Sequence, residues 1–354
     1  MFGIICVGLI SFQTEEAESM TDDEIKMIET RQKFFGEEYV DEHTGEVNPA
    51  QVIFSWVGVS NFAVAVNGHV ILLDAWIPGG EEFEYVPATP DELAALQPEA
   101  IFIGHAHFDH ADHAAEIIEK TGAILVGTTG HCDQIKKDAQ VEEDINCLEA
   151  MPNDAEPGTL QKLNFLEGVK VTAISHVHSS LKLPDKEDPS APLFPKKNRQ
   201  SEAPNGNLAD ILGSIGEDEE GTLMYQFQVG EFVFTWNDSA GPIKEEAPDL
   251  TEVLASLPET DVQLGAIMGF NQYTNGLRDP RMYIEAVKPQ VFVPTHHDNW
   301  APPITTTADN YKEALEKEMD NLTDVVPELI FLSDPEDYVN PKLLTFHIFE
   351  ERWQ

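Results

Sequence analysis

The stretch Gly104-His105-Ala106-His107-Phe108-Asp109-His110-Ala111-Asp112-His113 constrains this chain more than any other. It follows the apolar run Ala100-Ile101-Phe102-Ile103, which reads as a buried strand closed by a glycine. Residues 114–120 then have helical character, so the cluster sits on a strand-to-helix turn, where α/β proteins place their chemistry. Between His105 and His110 lie three imidazoles and one carboxylate. Unpartnered and out of water, each would cost about 1–3 kcal/mol. A divalent metal removes that penalty, because neutral imidazole nitrogens and carboxylate oxygens are its natural ligands. A solvated polar turn is the plain alternative, and the placement of H-x-H-x-D-H directly after a buried strand argues against it.

The rest of the chain supplies strands and helices to hold such a turn. Residues 22–35 read as a helix, followed by a loop through Asp41, Gly45 and Pro49. Regular structure begins at Gln51 with strands at 52–56, 62–66 and 69–73, the last two joined by an Asn67-Gly68 hairpin turn. Asp74 closes the third strand and is expected to support the metal loop beyond stabilising a turn. Thr89 caps a helix opening at Pro90. A strand at 123–127 and a helix at about 131–139 follow the metal loop, with His131 read as structural. Such alternation marks a sheet covered by helices.

A second half repeats the design, with a hairpin at 160–165 and 169–174 around Glu167-Gly168. Another hairpin, at 223–229 and 231–236, turns at Gly230. Helices at 250–257, 280–287 and 308–319 alternate with strands at 262–268 and 291–294, and 343–349 reads as a closing strand. Residues 183–222 break the pattern with prolines at 184, 189, 192, 195 and 204, and read as an irregular insertion. Lys196, Lys197 and Arg199 within it form the densest basic cluster of the chain: a solvated loop, or a lid that meets an anionic group of a substrate.

Length and charge bound the rest. The 354 residues hold one large domain or two ordinary ones. A net charge of −43 repels phosphate backbones and anionic lipid surfaces, so nucleic acid is not an expected partner. The charge reads as a solubility device suited to a salty medium. Of three cysteines, Cys132 and Cys147 either pair or remain buried thiols. Residues 1–12 are apolar but too short to span a bilayer, and an acidic stretch follows. They resemble the apolar part of a secretion signal without its basic n-region. Secretion or a periplasmic location is therefore favoured over the cytoplasm, with no integral membrane association.

Further potential ligands close other strands: His176 and His178, Asp238, and His296 with His297. Strand ends share a rim, so these groups can converge. An aspartate after an early strand, H-x-H-x-D-H, a later histidine, a further aspartate and a final histidine, in this order, resemble the metallo-β-lactamase superfamily over residues 51–300. That resemblance implies an α/β fold, a four-layer αββα sandwich of two mixed β-sheets flanked by helices. It sets residues 1–50 apart as an apolar segment with an acidic leader and helix, and makes 51–354 one hydrolase domain carrying the insertion.

The same resemblance implies that His105, His107 and His178 hold one metal, since Ser179-Ser180 matches the family's H-S-S ending. Asp109, His110 and His296 would hold a second, with Asp238 bridging; Pro294-x-His296 resembles the final motif, which favours His296 over His297. Two divalent ions, most simply Zn²⁺ with Mn²⁺ or Fe²⁺ as alternatives, would then carry a bridging hydroxide that attacks an ester, lactone or phosphodiester of a small molecule. Asp109 and Asp238 are the expected catalytic carboxylates. Tyr273, His176 and His297 are candidates for the leaving-group acid, the two histidines also for supporting or substrate-facing roles.

Departures from individual branches narrow this. Asp238 and a final histidine, where a cysteine ligand would stand, argue against a typical β-lactam hydrolase. Asp112-His113 differs from the glycine pair of many acyl-homoserine lactonases. The motif also resembles phospholipase D-like members, which the acidic charge disfavours on an anionic membrane. Flavodiiron proteins have a glutamate where His107 stands. A mononuclear iron oxygenase on the same fold and a metal-binding protein without catalysis stay as alternatives.

Overall fold

Alternate residues of an extended strand face opposite sides, and in β1 (Gln51–Trp56) both sides are buried. Val52, Phe54 and Trp56 enter one apolar cluster, and Ile53 enters another. The split continues through β2 (Phe62–Val66), with Val64 and Val66 on the first side and Ala63 and Ala65 on the second. β3 (His69–Leu73) sends Ile71 and Leu73 one way, Val70 and Leu72 the other. A sheet buried on both faces belongs in the middle of a layered stack.

The computed structural model describes residues 20–78, 85–139, 145–179, 220–267, 277–300, 305–324, 326–350 and 353. The first sheet adds β4 (Ala100–Phe102), β5 (Ile124–Thr128) and β6 (Cys147–Met151). The second comprises β7 (Leu160–Leu163), β8 (Lys170–Ser175), β9 (Leu223–Val229), β10 (Phe232–Asn237), β11 (Val262–Ala266), β12 (Val291–Thr295) and β13 (Glu328–Leu329). β14 (Thr345–His347) crosses back to pair with β1, so the orders are β14-β1-β2-β3-β4-β5-β6 and β13-β12-β11-β10-β9-β8-β7. Both sheets are mixed: β3 to β6 and β10 to β13 run parallel, the remaining pairs antiparallel.

Between the sheets lies an aromatic core. Phe54 meets Phe234 edge-on at 5.0 Å, Phe102 meets Phe227 at 5.0 Å, and Phe227 stacks on Phe234 at 4.6 Å. Such pairs add about 0.5–1.5 kcal/mol each beyond simple burial. The outer face of the first sheet is covered by α1 (Asp22–Phe35), α2 (Pro90–Ala95), α3 (Phe108–Ala111), α4 (Ala114–Thr121) and α5 (Thr129–Ala139). The second is covered by α6 (Ile243–Glu246), α7 (Leu250–Ala255), α8 (Arg278–Val287) and α9 (Asp309–Met319). The result is the expected four-layer αββα sandwich.

Local signals behave as their chemistry requires. Asn67 and Gly68 both take positive φ (51° and 84°), closing the β2–β3 hairpin. Thr89 and Glu92 form a reciprocal capping box at α2, with Pro90 in its first turn. Some elements differ from the sequence expectation, three of them instructively. β6 was not anticipated, because Cys147-Leu148-Glu149-Ala150-Met151 is an edge strand whose outer residues are partly exposed. The closing strand shrinks to Thr345–His347, and Phe349 is exposed. α5 begins at Thr129, two residues early. The insertion and its Lys196, Lys197 and Arg199 lie outside the described residues, apart from residues 220–222. Among the described residues, no helix is long and apolar enough to cross a membrane.

Cys132 and Cys147 are joined by a disulfide that ties α5 to the edge strand β6. Closing a chain segment of 15 residues stabilises a fold by about 3 kcal/mol in the chain-entropy account. Cys147→Ser should therefore lower the unfolding free energy by roughly that amount, and thiol reductant should lower the wild-type melting temperature without affecting the variant. Equal melting temperatures for the two proteins under oxidising conditions would contradict this.

Candidate metal centre

The C-terminal ends of β3 and β4 lie on one rim of the first sheet, and those of β8, β10 and β12 on one rim of the second. Hydrogen bonds lock the rims together. The Leu223 N–H donates to the Gly104 carbonyl (2.7 Å), Tyr225 Oη to the Ile103 carbonyl (3.0 Å), and Trp236 Nε1 to the Ser60 carbonyl (3.0 Å). The approach is so close that a Cβ on Gly104 would collide with the Asp238 carboxylate, and one on Gly241 with the Val177 and His178 carbonyls. Glycine is required at both positions.

Seven side chains meet at this seam. His105 faces His107, His178 and His110 with ring centroids 4.5, 4.4 and 3.9 Å away. His105 Nε2 and His178 Nε2 are 3.1 Å apart. Asp109 Oδ2 lies 3.5 Å from His110 Nε2 and 3.4 Å from His296 Nε2. Asp238 Oδ2 sits between the groups, 2.6 Å from His105 Nδ1 and 3.5 Å from His110 Nδ1. Their donor atoms form three triads compact enough to hold an ion: His105, His107 and His178; Asp109, His110 and His296; and His105, His110 and Asp238. All seven residues singled out in the sequence are thus brought together.

Carboxylates fix which nitrogens face inward. His105 Nδ1–H donates to Asp238, leaving its Nε2 lone pair toward His178. His110 Nδ1 is held at 2.6 Å by Asp74 Oδ2, while its buried Nε2 has no hydrogen-bond partner. A buried nitrogen of that kind costs stability unless something binds it. Burial, reinforced by the neighbouring imidazoles, holds His105 and His178 well below the ordinary histidine range. Burial likewise brings His107 down to about 4. His110 is different: burial opposes its charge, yet Asp109, Asp74 and Asp238 raise it to about 10. Burial also opposes the Asp109 charge, but the surrounding histidines keep its carboxyl well below the usual range. One triad is therefore a set of neutral lone pairs, and the other a pocket that demands positive charge. Both fit a divalent cation.

Asp74 has the supporting role expected of it, and its own geometry is strained, with φ 56°. Its Oδ1 accepts from the Gly104 N–H (3.1 Å), and its Oδ2 accepts from Ser60 Oγ (2.9 Å). Ser179 explains the serine after His178: Ser179 Oγ accepts from the Ala240 N–H (2.9 Å), and the Ser179 N–H donates to Ser239 Oγ (2.9 Å), joining two ligand-bearing strand ends. The other histidines point elsewhere. His297 Nε2 lies 2.9 Å from the Leu332 carbonyl and its ring stacks on Trp56. His176 Nδ1 lies 2.9 Å from Tyr283 Oη, and His131 braces Thr128 and Gly221. His113 precedes α4 and accepts from the Ile77 N–H at 3.2 Å. His176 and His297 belong to none of the three triads, and Tyr273 lies outside the described residues.

Ser60, Asn61 and Asp298 were not singled out from the sequence. The only signal for them is a run of small and polar residues between two apolar strands, and an acid following paired histidines. Trp76, Phe108 and Trp300 pack mutually at 6.0–6.1 Å beside His296, an aromatic flank to the centre.

A layered αββα sandwich with this ordered set of histidines and aspartates along joined rims is the arrangement of the metallo-β-lactamase fold. The chain has that fold, and the proteins it is similar to include metal-dependent hydrolases. No family model matches the chain. It is 24% identical to a UPF0173 metal-dependent hydrolase of Methanopyrus kandleri, over 74% of this chain and 91% of that protein. A UPF0173 metal-dependent hydrolase of Pyrobaculum neutrophilum is 41% identical over a shorter span, 21% of this chain and 31% of that protein. The fold is similar to that of Igni18, a novel metallo hydrolase from Ignicoccus hospitalis, with TM-score 0.52 and 18% identity over 84% of this chain and 98% of the other.

Three further buried histidines, outside the triads, add to the loss of stability in acid. Burial lowers His131 and His297 to about 4 and His176 to about 3. The unfolded chain takes up these protons near pH 6.5, so the stability they contribute is full above that value and is lost as pH falls from 6.5 towards 4. Each contributes a slope of up to about 1.4 kcal/mol per pH unit in that window. His110 acts oppositely, its contribution being full below 6.5 and lost only as pH rises through about 10. Chelator-treated protein should melt at steadily lower temperature from pH 6.5 to 4.5; a melting temperature constant over that range would refute this.

Proposed function

We propose that the chain is a dinuclear hydrolase of an ester, lactone or phosphodiester bond in a small molecule. The observation that carries this is the separation of six donors into two triads that share no residue, with buried Asp238 against a histidine of each. His105, His107 and His178 would hold one ion, and Asp109, His110 and His296 the other. Zn²⁺ is the simplest occupant of such nitrogen and carboxylate sets, with Mn²⁺ and Fe²⁺ as alternatives. When bound, such ions supply Lewis acidity and bring the pKa of a coordinated water towards about 7.

The chain's own groups do the positioning. Asp109, ionised among its histidines, accepts a hydrogen bond from the attacking water and orients it toward the substrate carbon or phosphorus. Asp238 keeps the two halves in register and holds the His105 tautomer through its 2.6 Å contact. Asp74 does the same for His110. Asn61 Nδ2 donates to the Asp109 carbonyl at 3.2 Å and fixes the start of α3. The disulfide supports an oxidising compartment, in keeping with export.

His107→Ala and Asp238→Ala should each lose bound metal and lower kcat/KM by at least about 10³-fold, roughly 4 kcal/mol of barrier, with a circular dichroism spectrum like that of the wild type. Chromogenic esters, lactones, β-lactams and phosphodiesters, assayed with metal analysis of the same sample, test the reaction class. Turnover of an ester, lactone or phosphodiester with two metal equivalents supports the proposal. Turnover at wild-type rate in either variant, or a single iron with oxygen consumption, would overturn it.

A further inference from the structure

The loop joining β1 to β2, residues 58–61, touches every member of one triad. The Val59 carbonyl accepts from the His296 N–H (2.8 Å), Ser60 Oγ lies 3.0 Å from His110 Nδ1, and Asn61 Nδ2 donates to the Asp109 carbonyl (3.2 Å). Among the described residues, no hydrogen bond joins this loop to His105, His107 or His178. The loop is tightly formed: the Asn61 N–H and Nδ2 both donate to the Gly58 carbonyl, at 2.9 and 3.1 Å. Val59, Ser60 and Asn61 are fully buried.

Its pivot is an unfavourable conformation. Val59 is β-branched yet has φ 51°, and His296, to which it bonds, has φ 60°. A left-handed valine costs about 1–3 kcal/mol and persists only where its surroundings over-determine it. Here the Val59 N–H donates to both oxygens of Asp298, each at 3.1 Å, while the Val59 carbonyl also accepts from Trp56 Nε1 at 3.0 Å. Asp298 is fully buried and is held in turn by Tyr338 Oη at 2.5 Å. A buried carboxylate clamping one strained N–H is an orienting device.

We infer that Asp298 is a positioning residue that, through Val59, sets the Asp109, His110 and His296 triad alone and so governs the affinity of one metal site and not the other. Asp298 supplies no donor to either triad. It fixes the loop that fixes the backbone of His296, and the same loop carries Ser60 and Asn61 to His110 and Asp109. Outer contacts of this kind are worth about 10–100-fold in metal affinity when removed. The inference rests on the dinuclear reading above.

Calorimetric titration of the chelator-stripped full chain with Zn²⁺ tests it. Wild-type protein should take up two equivalents, and His107→Ala and His296→Ala identify which equivalent belongs to which triad. Asp298→Ala should weaken the equivalent lost in His296→Ala by about 10–100-fold and leave the other at wild-type affinity. Asp298→Asn, which keeps one oxygen for the Val59 N–H, should fall between wild type and alanine. Leu254→Ala, a buried change in the outer helix layer, should lower the melting temperature while retaining both affinities. Where Asp298→Ala fails to fold, Tyr338→Phe should produce the same one-sided loss in weaker form. Equal weakening of both sites, or unchanged affinity at both, overturns the inference. A wild type with one equivalent overturns the dinuclear reading and this inference with it, and that outcome is visible before any variant is compared.

Discussion

Seven imidazole and carboxylate groups gathered at the seam of two sheets, five of them buried and His107 and His178 partly exposed, set the terms for everything around them. His110 and Asp238 have no exposed surface, and His105, Asp109 and His296 retain only 2–7%. Desolvating such groups is unfavourable by kcal/mol apiece unless each is partnered. The sandwich answers by bringing two rims of parallel strands together, so that donors from both sheets neutralise one another across the gap. Gly104 is where the rims touch, and the lack of a side chain there lets Asp238 enter the first sheet's territory. The aromatic core beneath, Phe54, Phe102, Phe227 and Phe234, holds the sheets at the spacing this contact requires.

The two triads are unequal, and the inequality has one cause. His105, His107 and His178 crowd one another, so burial and mutual repulsion keep them neutral even though Asp238 lies 2.6 Å from His105. Asp74 and Asp109 flank His110, so that half retains negative charge that a proton satisfies in the absence of metal. In the proposed dinuclear centre the neutral triad supplies lone pairs without proton release, whereas the anionic half exchanges a proton for a cation. The supporting contacts follow the charge: Ser60, Asp74 and the Gly104 N–H all converge on the anionic half.

Much of this was legible in the sequence, and what was not has a physical reason. β1 to β3 could be read because buried strands are uninterrupted apolar runs and Asn67-Gly68 marks their turn. The ligand order could be read because each donor closes a strand. His296 and His297 could be separated only by resemblance to a motif; the structure sends one ring to the cluster and the other to Trp56 and the Leu332 carbonyl. β6 stayed hidden because an edge strand is only half buried and Glu149 interrupts its apolar pattern. The Val59–Asp298 clamp was beyond reach, since it joins residues 239 positions apart through a backbone N–H, which carries no side-chain signature.

Charge acts on this protein at two ranges that must be kept apart. The net −43 is spread over the whole chain, and its field is screened within about 8–10 Å at ordinary ionic strength. It therefore biases encounter, drawing cations towards the protein and slowing the approach of anions, without setting the energetics inside the centre. Within the centre, unscreened contacts of 2.6–3.5 Å decide protonation and orientation. An anionic phosphodiester meets an unfavourable field on approach that a neutral ester or lactone does not. Among the three proposed bond types, the long-range field thus favours an uncharged acyl substrate, and it does so independently of which ion the triads hold.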